Sequence, residues 1–266
     1  MIRLDELVHR LQQNIRRQQE PAPQEAIGGG VTCKICGDTG IVCSGDVAWV
    51  CDCQRHTGKI RQQAGIAPEL RDYSFEGFRV DYYDGQHRER ALAALQGARH
   101  FVQGCVQGMP SQGIMFTGDV GAGKTFLAAA IANELLSRGI QVQFLVVPDF
   151  LDDLRTALLH NTGDSREPDD VALFRSVRQV AVLILDDLGA HNYTEWTCNK
   201  LYSLLNYRLN YHLPVIITTN LKMPELDECL GERTTSRIVQ MCGIRRLTVD
   251  RDIRHIQNQT RFRQEE

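Results

Sequence analysis

The chain has 266 residues, with 30 Lys and Arg against 33 Asp and Glu, a formal charge of -3, and 42% hydrophobic and 24% charged residues. That size suits one α/β domain plus a smaller module, and the near-even charge excludes a wholly basic nucleic-acid binder while leaving local basic patches open. No apolar run approaches the roughly 20 residues of a membrane span and the first residues carry no signal-peptide core, so a cytoplasmic protein with reduced thiols and no membrane partner is expected.

In chain order, Leu4, Leu7, Val8, Leu11 and Ile15 fall at helical spacing. Residues 3–19 are therefore expected to form an amphipathic helix, the body of an N-terminal segment at 1–20. Such a helix either caps its own protein or docks on a partner. "EPAPQEAIGGG" has the prolines and glycines of a linker and opens a second segment at 21–72. Five of the nine cysteines crowd into "CKICGDTGIVCSGDVAWVCDCQ", residues 33–54. Cys33-x2-Cys36 and Cys51-x-Cys53 supply four thiolates from two close turns, the kind of set that tetrahedral Zn²⁺ takes. Zinc can fold a segment too small to bury a core of its own. Cys43 and His56 are alternative ligands, so the spacing leaves the quartet open. A redox Cys-x-x-Cys would need βαβ surroundings that this stretch lacks. Trp49, Arg55, His56, Lys59 and Arg61 read either as a solvated connector or as a contact to nucleic acid.

From residue 73 to 266 strands and helices alternate. "GIMFT" (113–117), "QVQFLVV" (141–147), "VAVLILDD" (180–187), "PVIITTN" (214–220) and "IRRLTV" (244–249) read as strands. Residues 125–137, 149–160 and 195–212 read as helices, and "NTGDSREPDD" as a loop. Continuous apolar strands between helices predict an α/β fold with a parallel sheet covered on both faces. Ligands of such sheets sit beyond the carboxyl ends of the strands. Cys105, Cys198, Cys229 and Cys242 stand alone and are expected to be buried thiols.

"GDVGAGKT" fits the phosphate-loop spacing between a strand and a helix. Gly118, Asp119, Val120, Gly121, Ala122 and Gly123 would wrap backbone N–H groups round the phosphates, with Lys124, Thr125 and Phe126 opening the helix. Lys124 would reach the β- and γ-phosphates and the Thr125 hydroxyl would ligate Mg²⁺. "LILDDLG" places two carboxylates at the sheet's binding edge. Asp186 would hold Mg²⁺ and Asp187 would polarise the attacking water. Asp187 is one methylene shorter than a glutamate, so slow hydrolysis is expected, a switch more than a motor. Asn220 ends "VIITTN", where it would touch the γ-phosphate or the water. Arg233 and Arg237 in "GERTTSRIVQMC", and Arg254 in "DRDIRH", are arginines able to stabilise developing phosphate charge.

The ordered set GDVGAGKT, LILDDLG, VIITTN, GERTTSRI and a late arginine resembles the AAA+ branch of bacterial replicative helicase loaders, the DnaC/DnaI family, over roughly residues 73–256. The IstB-type transposition helpers resemble it closely too. The resemblance implies an AAA+/ASCE P-loop NTPase domain with a reduced lid after Arg254, preceded by a zinc module. It implies sensor 1 at Asn220, an arginine finger at Arg237 acting on a neighbour's ATP, and sensor 2 at Arg254. ATP, Mg²⁺ and Zn²⁺ are the implied cofactors. A hexameric DnaB-like helicase, single-stranded DNA and further copies of the chain are the implied partners. The expected activity is ATP-dependent helicase loading. Two alternatives stay open, an IstB-type transposition helper and a nucleic-acid-binding zinc adaptor with a vestigial ATPase.

Overall fold

The computed structural model describes residues 64–254 apart from 109, 111, 160–168, 191 and 192, together with the backbone of two short strands at 41–44 and 47–50. Those two strands, β1 (Ile41–Ser44) and β2 (Val47–Val50), pair antiparallel with Ile41 opposite Val50. The N-terminal helix expected at 3–19, the linker, the cysteine and histidine side chains proposed for zinc, and the stretch after Arg254 lie outside the described residues.

The rest builds one parallel sheet of five strands. In chain order these are β3 (Gly113–Gly118), β4 (Val142–Val146), β5 (Val182–Asp186), β6 (Val215–Thr219) and β7 (Cys242–Leu247), and their order across the sheet is β4-β5-β6-β3-β7. Every ladder is parallel, with Ile114 beside Ile216, Val142 beside Val182 and Gly113 beside Cys242. Strand alternation explains why such apolar strands need cover on both faces. Ile114, Phe116, Val182, Ile184 and Ile216 pack on one side with helices α1 (Gly85–Gly108) and α2 (Lys124–Ser137). Met115, Leu183, Leu185, Val215 and Ile217 point the other way. They meet α3 (Val147–Leu159), α4 (Asp169–Gln179), α5 (Glu195–Asn210), α6 (Met223–Leu230) and α7 (Glu232–Met241). From β3 the chain crosses to β4 at one edge, and from β6 it crosses to β7 at the other. The crevice between those crossovers is where such a sheet binds ligands.

Helix α1 is not among the elements expected from the sequence, although Ala91, Ala94, Ala98, Phe101, Val102 and Cys105 repeat along its buried face. Helix α4 starts inside the stretch read as a loop, and the last strand ends at Leu247, two residues before the expected 249. Residues 64–72, ahead of the expected boundary at 73, also join the core. Ala64 and Ile66 are buried, and the Phe144 amide donates to the Ala64 carbonyl at 2.7 Å. Among the four isolated cysteines Cys105 and Cys242 are buried, whereas Cys198 and Cys229 are only partly so.

A charged side chain also lies in the core. Arg208, on α5, is fully buried and donates to the carbonyls of Val177, Arg178, Val180, Ala181 and Pro214, the shortest bond being 2.7 Å to Pro214. It thereby ties the end of α4 to the starts of β5 and β6. Burial pushes its pKa down to about 9, which leaves it charged at neutral pH. An Arg208→Met variant would keep most of the volume and take the guanidinium donors from those carbonyls, leaving Pro214 with the longer bond from the Leu183 amide at 3.4 Å. We expect it to lose about 3 kcal/mol or more of unfolding free energy, read as a fall in the urea midpoint.

Candidate nucleotide site

At the carboxyl edge of the sheet, β3 runs into the glycine-rich turn and α2. Gly118 has φ +130° and Gly123 φ +84°. A side chain at the first would run into the Leu247 carbonyl, and one at the second into Phe78 and the Tyr83 hydroxyl. Glycine is therefore required at both for reasons of backbone and of close approach. Contacts from outside hold the turn, among them the Asp119 amide donating to the Leu247 carbonyl at 3.1 Å. The Tyr83 hydroxyl donates to the Ala122 carbonyl at 2.8 Å, the Val249 amide to Asp119 Oδ2 at 3.1 Å, and the Ile253 amide to the Gly121 carbonyl at 3.3 Å.

Lys124 is the first residue of α2 and is 5% exposed. Its Nζ donates to the carbonyls of Gly118 at 3.0 Å and Asp119 at 2.6 Å. Burial lowers its pKa, while the carboxylates of Asp187, Asp119 and Asp186 act to raise it and Arg254 adds to the lowering. Next to it, Thr125 Oγ1 donates to Asp186 Oδ1 at 3.0 Å. Asp186 ends β5 and is buried, and that burial raises its pKa; hydroxyl donors from Thr218 and Thr125 and the charge of Lys124 oppose the rise. A hydroxyl and a carboxylate oxygen 3.0 Å apart beside a phosphate-loop lysine are hard oxygen donors, which suit Mg²⁺ better than a thiophilic metal. When bound, Mg²⁺ would neutralise phosphate charge, with Thr125 and Asp186 as its protein-side holders.

Asp187 follows in a turn with φ +57°, and Asn220, just past β6, donates from Nδ2 to its Oδ1 at 3.4 Å. Sheet order accounts for this pairing, because β5 and β6 are neighbours whose tips lie side by side. A cleft of about 220 Å³ opens between these groups, lined by Val120, Gly121, Gly123, Lys124, Thr125, Phe126, Asp187, Asn220 and Arg254. Leu70, Tyr73 and Ile253 close its apolar side, where Tyr73 stacks on Phe126 with ring centroids 4.3 Å apart. Its two ends therefore differ chemically, one polar and lysine-lined, the other aromatic.

Of the residues singled out for nucleotide, the loop, Asp187, Asn220 and Arg254 thus meet at one cleft and Asp186 adjoins it through Thr125, whereas Arg233 and Arg237 stand apart. Arg237 lies on α7 with Arg233, donates to Gln240 Oε1 at 3.1 Å, and does not line this cleft. Leu70, Tyr73, Ile253 and Thr218 were not anticipated; each gains its place through contacts distant in sequence. Among the described residues no group of His, Cys, Asp or Glu forms a metal-binding cluster of three, and no helix is long and apolar enough to cross a membrane.

The model of the IstB-like ATP binding protein family matches residues 55–263. The chain belongs to that family. Its relatives extend the picture. The replicative helicase loader DnaC of Escherichia coli (strain K12) is 31% identical over 176 residues, which is 66% of this chain and 66% of DnaC. The replicative helicase loader DnaI of Bacillus subtilis (strain 168) is 30% identical over 136 residues, 51% of this chain and 42% of DnaI. The chain therefore matches less than two thirds of the length of either loader. A crystal structure of the DnaC helicase loader shares the fold at TM-score 0.55 and 25% identity, covering 68% of this chain and 99% of that one. In this IstB-like protein the five-stranded parallel sheet, phosphate loop and flanking helices make the α/β fold of AAA+ P-loop domains.

Proposed function

We propose that this chain is an ATP-dependent loader that helps place a ring-shaped replicative helicase on single-stranded DNA. The observation that carries the reading is the convergence of Lys124, the Thr125–Asp186 pair and the Asp187–Asn220 pair on one cleft in a chain similar to two named helicase loaders. In this reading Lys124 and the loop amides hold the triphosphate, and Tyr73 and Phe126 face the base. Asp187, held by Asn220, orients and polarises the attacking water, while Arg254 answers the γ-phosphate. Arg237 acts on the ATP of an adjacent copy, so self-association depends on nucleotide. Hydrolysis is slow and serves as a release signal. The ATPase domain would run over 73–266, with a helical segment at 1–20 and a zinc module within 21–72.

Zinc at Cys33, Cys36, Cys51 and Cys53 is supported by chemistry and by the hairpin between the pairs. The open end of that hairpin, Ile41 opposite Val50, adjoins in sequence the two segments that carry them. The module would grip the helicase. One experiment tests both halves: capture of the hexameric replicative helicase from the source organism's extract by the full chain, with a slowly hydrolysed ATP analogue. About one zinc per chain by elemental analysis is expected. Capture should disappear in a Cys33→Ser/Cys36→Ser variant that has lost the metal, and helicase deposition on single-stranded DNA should require ATP. A zinc-free chain that captures no helicase would sink the proposal.

Membership of the IstB-like ATP binding family keeps a second reading open, the IstB-type transposition helper that the sequence also resembles, acting on a transposase at duplex DNA. ATP-dependent binding to duplex with no helicase capture would select it.

A further inference from the structure

Strand β6, "VIITT", lies inside the sheet and changes from aliphatic to hydroxyl-bearing at Thr218, which is followed by a second buried threonine, Thr219. Strand alternation puts it on the same face as Ile216, the side on which α2 and the phosphate loop pack, and its register partner on β3 is Phe116. A valine would fill this fully buried position at no polar cost, whereas a buried hydroxyl must be bonded to be tolerated. Here it is bonded twice. Thr218 Oγ1 donates to Asp186 Oδ1 at 2.6 Å and accepts the Asp187 amide at 3.0 Å, while the Thr218 carbonyl accepts the Leu188 amide at 2.9 Å.

These bonds reach the residues that hold the site's two carboxylates. Thr218 and Thr125 donate to the same oxygen of Asp186, which fixes the rotation of that carboxylate about its chain. The bond to the Asp187 amide, together with that to Leu188, holds a turn in which a non-glycine residue has φ +57°. A non-glycine residue in the left-handed region persists where its surroundings over-determine it. Two residues along, Asn220 reaches the Asp187 side chain from the same strand end. One strand thus reaches both carboxylates, by Thr218 from inside the sheet and by Asn220 from its edge.

We propose that Thr218 is a positioning residue for the metal–nucleotide site, locking Asp186 in the orientation that accepts Mg²⁺ and Asp187 in the orientation that faces the cleft. The inference rests on the ATP-binding reading above. Thr218 touches neither nucleotide nor metal; it acts through the two aspartates. Outer partners of this kind typically contribute 10–100-fold in metal affinity or activity.

The test is a magnesium titration of nucleotide binding, following a fluorescent ATP analogue on the full chain, with turnover measured separately. Thr218→Val should raise the Mg²⁺ concentration for half-saturation by about tenfold or more. Binding of the metal-free nucleotide in EDTA should stay within about twofold, because the loop and Lys124 are untouched. Thr218→Ser, which keeps the hydroxyl, should return the curve to near that of the natural protein. Thr218→Cys, close in size with only a weak donor, should fall between them and carries the same test if the valine variant does not fold. An unmoved magnesium curve in Thr218→Val or Thr218→Cys overturns the inference while leaving the ATP-binding reading intact. So does an equal loss with and without metal, the mark of a merely structural role. Failure of the natural protein to bind the nucleotide at all overturns the ATP-binding reading, and this inference with it.

Discussion

Lys124→Ala is expected to weaken ATP binding by about 100-fold or more, equivalent to roughly 2.7 kcal/mol, and to abolish turnover. Two separate effects combine. The ammonium closes the loop on itself through the Gly118 and Asp119 carbonyls, at 3.0 and 2.6 Å, and the variant loses both bonds, leaving Asp119 with only the weaker bond from the Ala122 amide at 3.3 Å. It is also the positive charge set among Asp119, Asp186 and Asp187, which all act on it. Without it a triphosphate would approach three carboxylates in a partly water-excluded cleft, where like-charge repulsion is several times stronger than in bulk water. Arginine is no rescue, since a planar guanidinium does not fit a buried site built for a compact ammonium. A fluorescent-nucleotide titration reads the affinity and a thermal melt controls for folding. Affinity within about threefold of the natural protein would contradict the site assignment.

Why the phosphate loop was legible in the sequence and Thr218 was not comes down to range. Gly118 to Thr125 act within eight consecutive residues, and their chemistry requires that spacing. Asp186 and Asn220 were legible because a strongly apolar strand ending in a polar residue aims that residue at the binding edge of a parallel sheet. Tyr73 has no such signature. It reaches the cleft because Asn133, on α2, donates to the Leu70 and Tyr73 carbonyls at 2.8 Å each and because its ring stacks on Phe126. Arg208 reads as one more arginine on an amphipathic helix until the ends of α4 and β5 are folded round it. Helix α1 was legible in principle. Its buried stripe runs through Ala91, Ala94 and Ala98 at helical spacing, and alanine carries so little hydrophobic weight that the period was missed.

Arg237→Ala should leave ATP binding intact and lower turnover by about 1,000-fold, the usual worth of an arginine finger. The structure gives the reason for seeking its target outside the chain. Thr234, Thr235 and Ile238 are the buried face of α7, anchored further by the bond from Thr235 to Asp227. Arg233 is exposed and Arg237, one helical turn on, is half-buried at the flank of that face. Among the described residues the Arg237 side chain bonds to Gln240 on its own helix, and it is absent from the cleft lining of its own chain. A mixing experiment separates a finger acting between copies from a residue acting within one. Lys124→Ala chains cannot hold ATP but still offer Arg237; Arg237→Ala chains hold ATP but offer no arginine. Equal mixing with random assembly joins a competent cleft to a competent arginine at about a quarter of the interfaces, so about a quarter of natural turnover should return from two inactive proteins. The recovered activity should rise with total protein concentration, because it requires association. A mixture no more active than its separate components, or an Arg237→Ala chain with near-natural turnover, would show that the arginine does not act on a neighbour's nucleotide.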